Sequence, residues 1–188
     1  MRDADIRTAL VQQLRAAHPD ALNNRIWPEM SLSLGASRVD VCVINGSLSG
    51  YEIKSPRDNL DRLPSQVEHY GRVLDRATIV TSEKQLDRVS IRVPAWWGVW
   101  RATAEDAGVT LHPVRAAMGN PGLDPESVAQ LLCRDEAFDE LRLRGLHHGL
   151  SNATRWTLWD LLLERLSMPE LQTVVRARLK ARLPRRVA

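Results

Sequence analysis

Apolar residues Ile6, Leu10, Val11 and Leu14 recur at three- and four-residue intervals, the period that gathers side chains on one face of an α-helix. The pattern predicts an amphipathic helix over residues 2–18, with Asp3 and Asp5 near its positive end and His18-Pro19 closing it. The period then shortens. Residues 26–34 read as a strand, and Pro28 within it places that strand at a sheet edge or at a bulge. Gly35-Ala36-Ser37 turns the chain into residues 38–45, where Val39, Val41, Val43 and Ile44 mark a central strand ending at Asn45-Gly46. Residues 51–55 read as its hairpin partner. A helix from about 64 to 74 follows, with Pro64 in its first turn, and then a strand over 77–81. After a linker ending in Trp96-Trp97-Gly98, residues 99–102 and 109–112 form a hairpin.

The cluster of Gly, Asn and Pro over 118–125 is the strongest break in the chain. It predicts two domains, 1–118 and 119–188. The second reads as wholly helical: Trp156, Trp159, Leu163 and Leu166 form one apolar stripe, and Leu171, Val175 and Leu179 another beyond Ser167-Met168-Pro169. The fold class expected is α/β, a mixed central sheet with helices on both faces, plus a C-terminal helical extension.

Composition changes this picture little. With 188 residues, 44% of them hydrophobic, the chain suits one core with a helical appendage. No apolar run reaches membrane-spanning length and the first residues carry no signal-peptide pattern, so a cytoplasmic protein without a membrane partner is expected. Cys42 and Cys133 read as reduced core residues. Charge is more telling. Residues 141–188 hold ten basic and three acidic residues, +7, against −4 for residues 1–140. A basic tail on an acidic core is compatible with nucleic acid, although a solvated helix face is the commoner use of such a run.

The chemistry concentrates between residues 29 and 70. Side chains alternate along a strand, so Glu52 and Lys54 share one face while Ile53 points to the other. Asp40, twelve residues earlier, lies on the neighbouring strand. Alternating acid and base is routine on a solvated face, but Asp40 sits among residues that mark a buried strand, where an unpaired charge is costly. Hydrolysis of a phosphodiester needs a positioned water and neutralisation of the phosphate, which Mg²⁺ held by carboxylates supplies. Asp40, Glu52 and the carbonyl of Ile53 are the expected ligands, with Lys54 beside the attacking water. Gln66 and Tyr70, four apart on the next helix, face the same way.

Taken in order, Asp40, Glu52-Ile53-Lys54, Gln66 and Tyr70 resemble the PD-(D/E)XK (restriction-endonuclease-like) nuclease superfamily, most closely its RecB-like branch. The chain also resembles a bacterial family within it that shares Arg38-Val39-Asp40, the stretch Gly50–Ser55, Asp58, Arg62-Leu63-Pro64 with Gln66, and Tyr70. The likeness in element order covers residues 1–115, but its specific motifs fall within 29–70. It implies an αβββαβ core, Asp40 and Glu52 as metal ligands, Lys54 as catalytic lysine, and Gln66 and Tyr70 supporting the centre. The proline that names the superfamily is replaced by Val39, and the first acidic ligand is either Glu29, the preferred one, or Asp5. The implied activity is Mg²⁺-dependent hydrolysis of DNA, with Mn²⁺ able to substitute.

Arg57 and Arg62 either grip phosphates or pair with Asp58 and Asp61. Arg176, Arg178, Lys180, Arg182, Arg185 and Arg186 are the candidates for non-specific phosphate contact. Trp96, Trp97 and Trp100 read as packing, and His147-His148 lacks metal spacing. Two other classes remain open, a DNA-binding module without catalysis and an interaction or regulatory protein, as does a homo-oligomer.

Overall fold

The computed structural model describes residues 1–21, 23–106 and 108–182. The chain divides into two compact units, Met1–Leu123 and Asp124–Ala188, so the break falls inside the 118–125 cluster, later than the 118/119 boundary read from the sequence.

In the first unit, α1 (Asp3–Ala17) precedes β1 (Arg25–Leu32), β2 (Ser37–Ile44) and β3 (Leu48–Lys54). Then come α2 (Leu63–Val73), β4 (Arg76–Ser82), the short α3 (Leu86–Ser90), β5 (Gly98–Glu105) and β6 (Gly108–Arg115). The six strands form one open sheet in sequence order. Neighbours pair antiparallel at β1/β2, β2/β3 and β5/β6, and parallel at β3/β4 and β4/β5. A parallel pair needs a crossover, and α2 and α3 supply the two required. The unit is therefore α/β with a mixed sheet, in the order the apolar pattern indicated.

Each face of the sheet is buried by a different helix. Ile6, Leu10 and Leu14 of α1 pack on Val41, Val43, Ile53, Val80, Ala102 and Leu111. From α2, Leu63, Tyr70 and Val73 are buried. Gly50 permits close packing above β3: a Cβ there would lie 2.4 Å from Leu74 Cδ1 and 3.0 Å from Val39 Cγ2. Tyr70 stacks on Trp97, 5.7 Å between ring centroids and 5° from parallel, so Trp97 is core.

Several local expectations need correction. Strand β3 starts at Leu48, ahead of residue 51, because its early residues pair with β2 and β4. Helix α3 occupies part of the segment read as linker; five residues are too few to show a helical period. Strands β5 and β6 are longer than the alternation suggested, with an irregularity at Val99/Trp100. Pro28 does lie on an edge strand, and its neighbour Glu29 has a positive φ of 55°.

The second unit is helical over its described residues: α4 (Pro125–Ala129), α5 (Arg134–Leu143), α6 (Arg155–Arg165) and α7 (Met168–Ala181). Asp124 and Thr154 cap α4 and α6 by accepting from Ser127 N and Thr157 N. Its core holds Leu132, Leu141, Leu158, Trp159, Leu162, Leu171 and Leu179. Two residues depart from expectation. Cys133 is exposed at the start of α5, and Trp156 is 45% exposed, its ring edge-on to Trp159 with Arg155 against both. Among the described residues no helix is long and apolar enough to cross a membrane.

Candidate active site

The site begins where β2 and β3 part. Their ladder runs from Ile44↔Leu48 to Val41↔Tyr51 and stops, leaving Asp40 and Glu52 at the fork. There the amide of Ile53 donates to Asp40 Oδ2 at 2.7 Å, so a side chain does the work of a strand carbonyl. The fork opens into a cleft of about 770 Å³ whose walls include Asp40, Glu52, Ile53, Lys54, Arg62 and Gln66. The loop after β3 is held in place: Ser55 N donates to Asp58 Oδ2, and the buried Gln85 amide donates to the carbonyls of Ser55 and Asp58.

Glu52 and Lys54 form a buried ion pair, their side chains 3% and 5% exposed. Lys54 Nζ donates to Glu52 Oε1 at 2.6 Å and to Gln66 Oε1 at 2.9 Å. Gln66 Nε2 donates in turn to Glu52 Oε1 at 2.6 Å, closing a triangle between β3 and α2. Tyr70 donates to Glu52 Oε2 at 2.6 Å, one turn further along the helix, and also lies 2.7 Å from the carbonyl of Arg38. Burial and the charge of Glu52 push the Tyr70 hydroxyl's pKa far up, so it stays a neutral donor. An ammonium has three N–H groups. Two of those on Lys54 are committed, and the third has no protein partner among the described residues.

Asp40 is the strained member. Burial, then the charge of Glu52, pushes its pKa from an ordinary 3.8 up to about 6, while the Ile53 amide and Arg7 oppose the rise. A carboxyl with a raised folded pKa binds its proton more tightly when native. Its stabilising contribution is complete below about pH 4 and is lost as pH climbs through 6. In metal-free buffer, the stability of wild type minus that of Asp40→Asn, from urea unfolding, should fall by about 2 kcal/mol between pH 4 and pH 6.5. A difference that stays level across this range rules out the raised value.

Set beside known proteins, residues 1–186 match the family model described as Bacteriophage P4 protein cII. The chain belongs to that family. Protein cII of Enterobacteria phage P4 is a relative 27% identical over 184 residues, covering 97% of this chain and 68% of the relative. No solved structure matches.

In this cII-family chain, Asp40, Glu52, Lys54, Gln66 and Tyr70 come together as the spacing indicated, but other assignments change. Ile53, whose carbonyl was expected as a ligand, lines the cleft and also meets Asp40 through its amide. Glu29, the preferred first acidic ligand, pairs with Arg7 and, at 2.6 Å, with Arg38 Nε, and does not line the cleft. Asp5, the alternative, accepts from Arg2 N at 2.6 Å and does a helix-start job. Arg62 lines the cleft and Arg57 does not; both are exposed, and among the described residues neither forms a salt bridge. Arg178 pairs with Asp139 and Glu140, and Arg182 with Glu136, so both are committed within the helical unit. Arg176 and Lys180 are half-buried, and Arg185 and Arg186 lie outside the described residues.

The residue that spacing missed is Arg7. Its guanidinium donates to Asp40 Oδ1 at 2.9 Å, to the Asp40 carbonyl at 3.1 Å and to Asp3 at 3.1 Å, and it also bonds Glu29. The one local signal was Asp3 four residues before it. Partners 22 and 33 residues away left no trace in the pattern.

Proposed function

We propose that this chain is a divalent-cation-dependent nuclease that hydrolyses DNA phosphodiesters in the cleft at the β2/β3 fork, on a restriction-endonuclease-like αβββαβ core. One observation carries the reading. A nearly fully buried ammonium keeps one N–H uncommitted at the cleft wall, beside two carboxylates. Buried polar groups find partners, and for this N–H the cleft is where water or a ligand can supply one.

The donor set fits Mg²⁺. Among the described residues no three His, Cys, Asp or Glu side chains group to hold a metal. Mg²⁺, however, typically takes one or two carboxylates and completes its shell with water and phosphate oxygens. Asp40 and Glu52 offer two hard oxygen ligands, and the repulsion between them is what a dication relieves. Bound there, Mg²⁺ or Mn²⁺ would neutralise charge on the scissile phosphate and acidify a water. Lys54 directs its remaining N–H at that water or at a non-bridging oxygen. Gln66 fixes the ammonium and Tyr70 fixes Glu52, so neither needs to reorganise during reaction. Arg62 contacts phosphate at the cleft wall, and Arg176 and Lys180 contribute non-specific attraction.

Incubation of the protein with linear and circular DNA in Mg²⁺ or Mn²⁺ should yield cleavage that Asp40→Ala and Lys54→Ala each abolish. A wild type that leaves DNA intact, or cutting that survives both substitutions, ends the proposal. One feature favours a second reading, a DNA-binding module without turnover: all four oxygens of Asp40 and Glu52 already accept protein hydrogen bonds. That reading expects salt-sensitive DNA binding with no metal-dependent product.

A further inference from the structure

We infer that Arg7 is a built-in counter-cation that competes with the divalent ion for Asp40, so that the cleft loads metal only as Arg7 lets go. The inference rests on the metal-dependent reading above and adds a control to it.

The geometry around Arg7 is that of a cation in an acid cage. Its side chain is 24% exposed and touches three carboxylates, Asp3 on its own helix, Glu29 on β1 and Asp40 on β2. Glu29 stands across β1/β2 from Asp40, between the pairs Pro28↔Val41 and Met30↔Val39. It reaches Arg7 from a left-handed backbone, φ 55°. Such a conformation costs a non-glycine residue about 1 kcal/mol, which the ion pairs to Arg7 and Arg38 offset. Burial disfavours the charge on Arg7, yet Asp40, Asp3 and Glu29 together outweigh it and raise its pKa.

Counting charges shows what a dication would meet. Asp3, Glu29, Asp40 and Glu52 bring four negative charges; Arg7, Arg38 and Lys54 bring three positive. With Arg7 in place the cluster carries −1, which a divalent ion would turn to +1. With Arg7 withdrawn it carries −2, which one such ion cancels. A guanidinium donating to Asp40 Oδ1 also takes directions that a metal at Asp40 would use, and repels the metal directly. A plain staple joining α1 to the sheet would make the same contacts, but its removal would only weaken the fold.

The experiment compares wild type, Arg7→Gln and Arg7→Gln/Glu29→Gln at pH 8 and low salt, using Mn²⁺ alone as probe. Calorimetric titration should show Mn²⁺ binding about tenfold tighter in Arg7→Gln. Its thermal midpoint should drop in metal-free buffer, and Mn²⁺ should raise it further than in wild type. The double variant removes one acid together with the cation and so keeps the wild-type net charge of −1; it should still bind Mn²⁺ more tightly than wild type, because Asp40 Oδ1 is freed of the guanidinium, and it gives that comparison if the single variant folds poorly. Unchanged or weaker Mn²⁺ binding in the variants overturns the inference and leaves Arg7 a staple. If wild type cuts DNA while the variants gain no Mn²⁺ affinity, only the inference falls. Tighter Mn²⁺ binding in variants of a protein that never cuts DNA sustains the inference and sinks the nuclease reading. No Mn²⁺ binding by any of the three proteins removes both.

Discussion

Lys54→Met should abolish metal-dependent DNA cleavage and loosen the fold in the same stroke. The substitution keeps the bulk of the side chain and deletes its charge. Glu52, 3% exposed, would then hold a buried negative charge with only Gln66 and Tyr70 donating to it. Stranding one partner of a buried pair costs about 3 kcal/mol, measurable by urea unfolding. Cleavage should fall by on the order of a thousandfold or more, because the donor proposed to face the reacting oxygen is gone. The two effects separate in Glu52→Gln/Lys54→Met. Removing both charges should restore most of the stability and none of the activity. Wild-type cleavage by Lys54→Met would refute the catalytic assignment, and wild-type stability would refute the buried pair.

Trp97→Ala carries the other large effect, and reaches the site without touching the cleft. Trp97 is fully buried and stacked on Tyr70, whose hydroxyl donates to Glu52. Truncating a buried tryptophan leaves a cavity and costs about 3–5 kcal/mol. For a unit of this size the thermal midpoint should fall by on the order of 10 °C. Tyr70 would lose the surface that fixes its ring, so any remaining activity should drop as well. Trp97→Phe keeps an aromatic stack and should recover much of both. A loss below about 1 kcal/mol in Trp97→Ala would mean that the packing around Tyr70 is not as described.

The two residues differ in how far they could be read in advance. Lys54 was legible, since a strand alternates with period two and Glu52-Ile53-Lys54 had to place acid and base together. Gln66 and Tyr70 were legible too, one helical turn apart on the element that follows. The buried role of Trp97 was indicated, but nothing local said that its ring would lie on Tyr70. Glu29 drew attention by its position one short turn ahead of the Asp40 strand, which said nothing of its partners. Its left-handed backbone and two arginine partners come from the fold. Arg178 and Arg182 likewise looked like a free basic face until α5 supplied Glu136, Asp139 and Glu140.

Legible from the chain alone were the α/β class, the order of the six strands with the first two helices, and the strand face shared by Glu52 and Lys54. Periodicity and alternation are properties of consecutive residues and need no partner. Where charges find one another emerged with the fold: β2 and β3 part at Asp40, Arg7 joins three acids from three elements, and Lys54 keeps one donor in reserve. Electrostatic contacts form through space between segments tens of residues apart, and no local spacing encodes them.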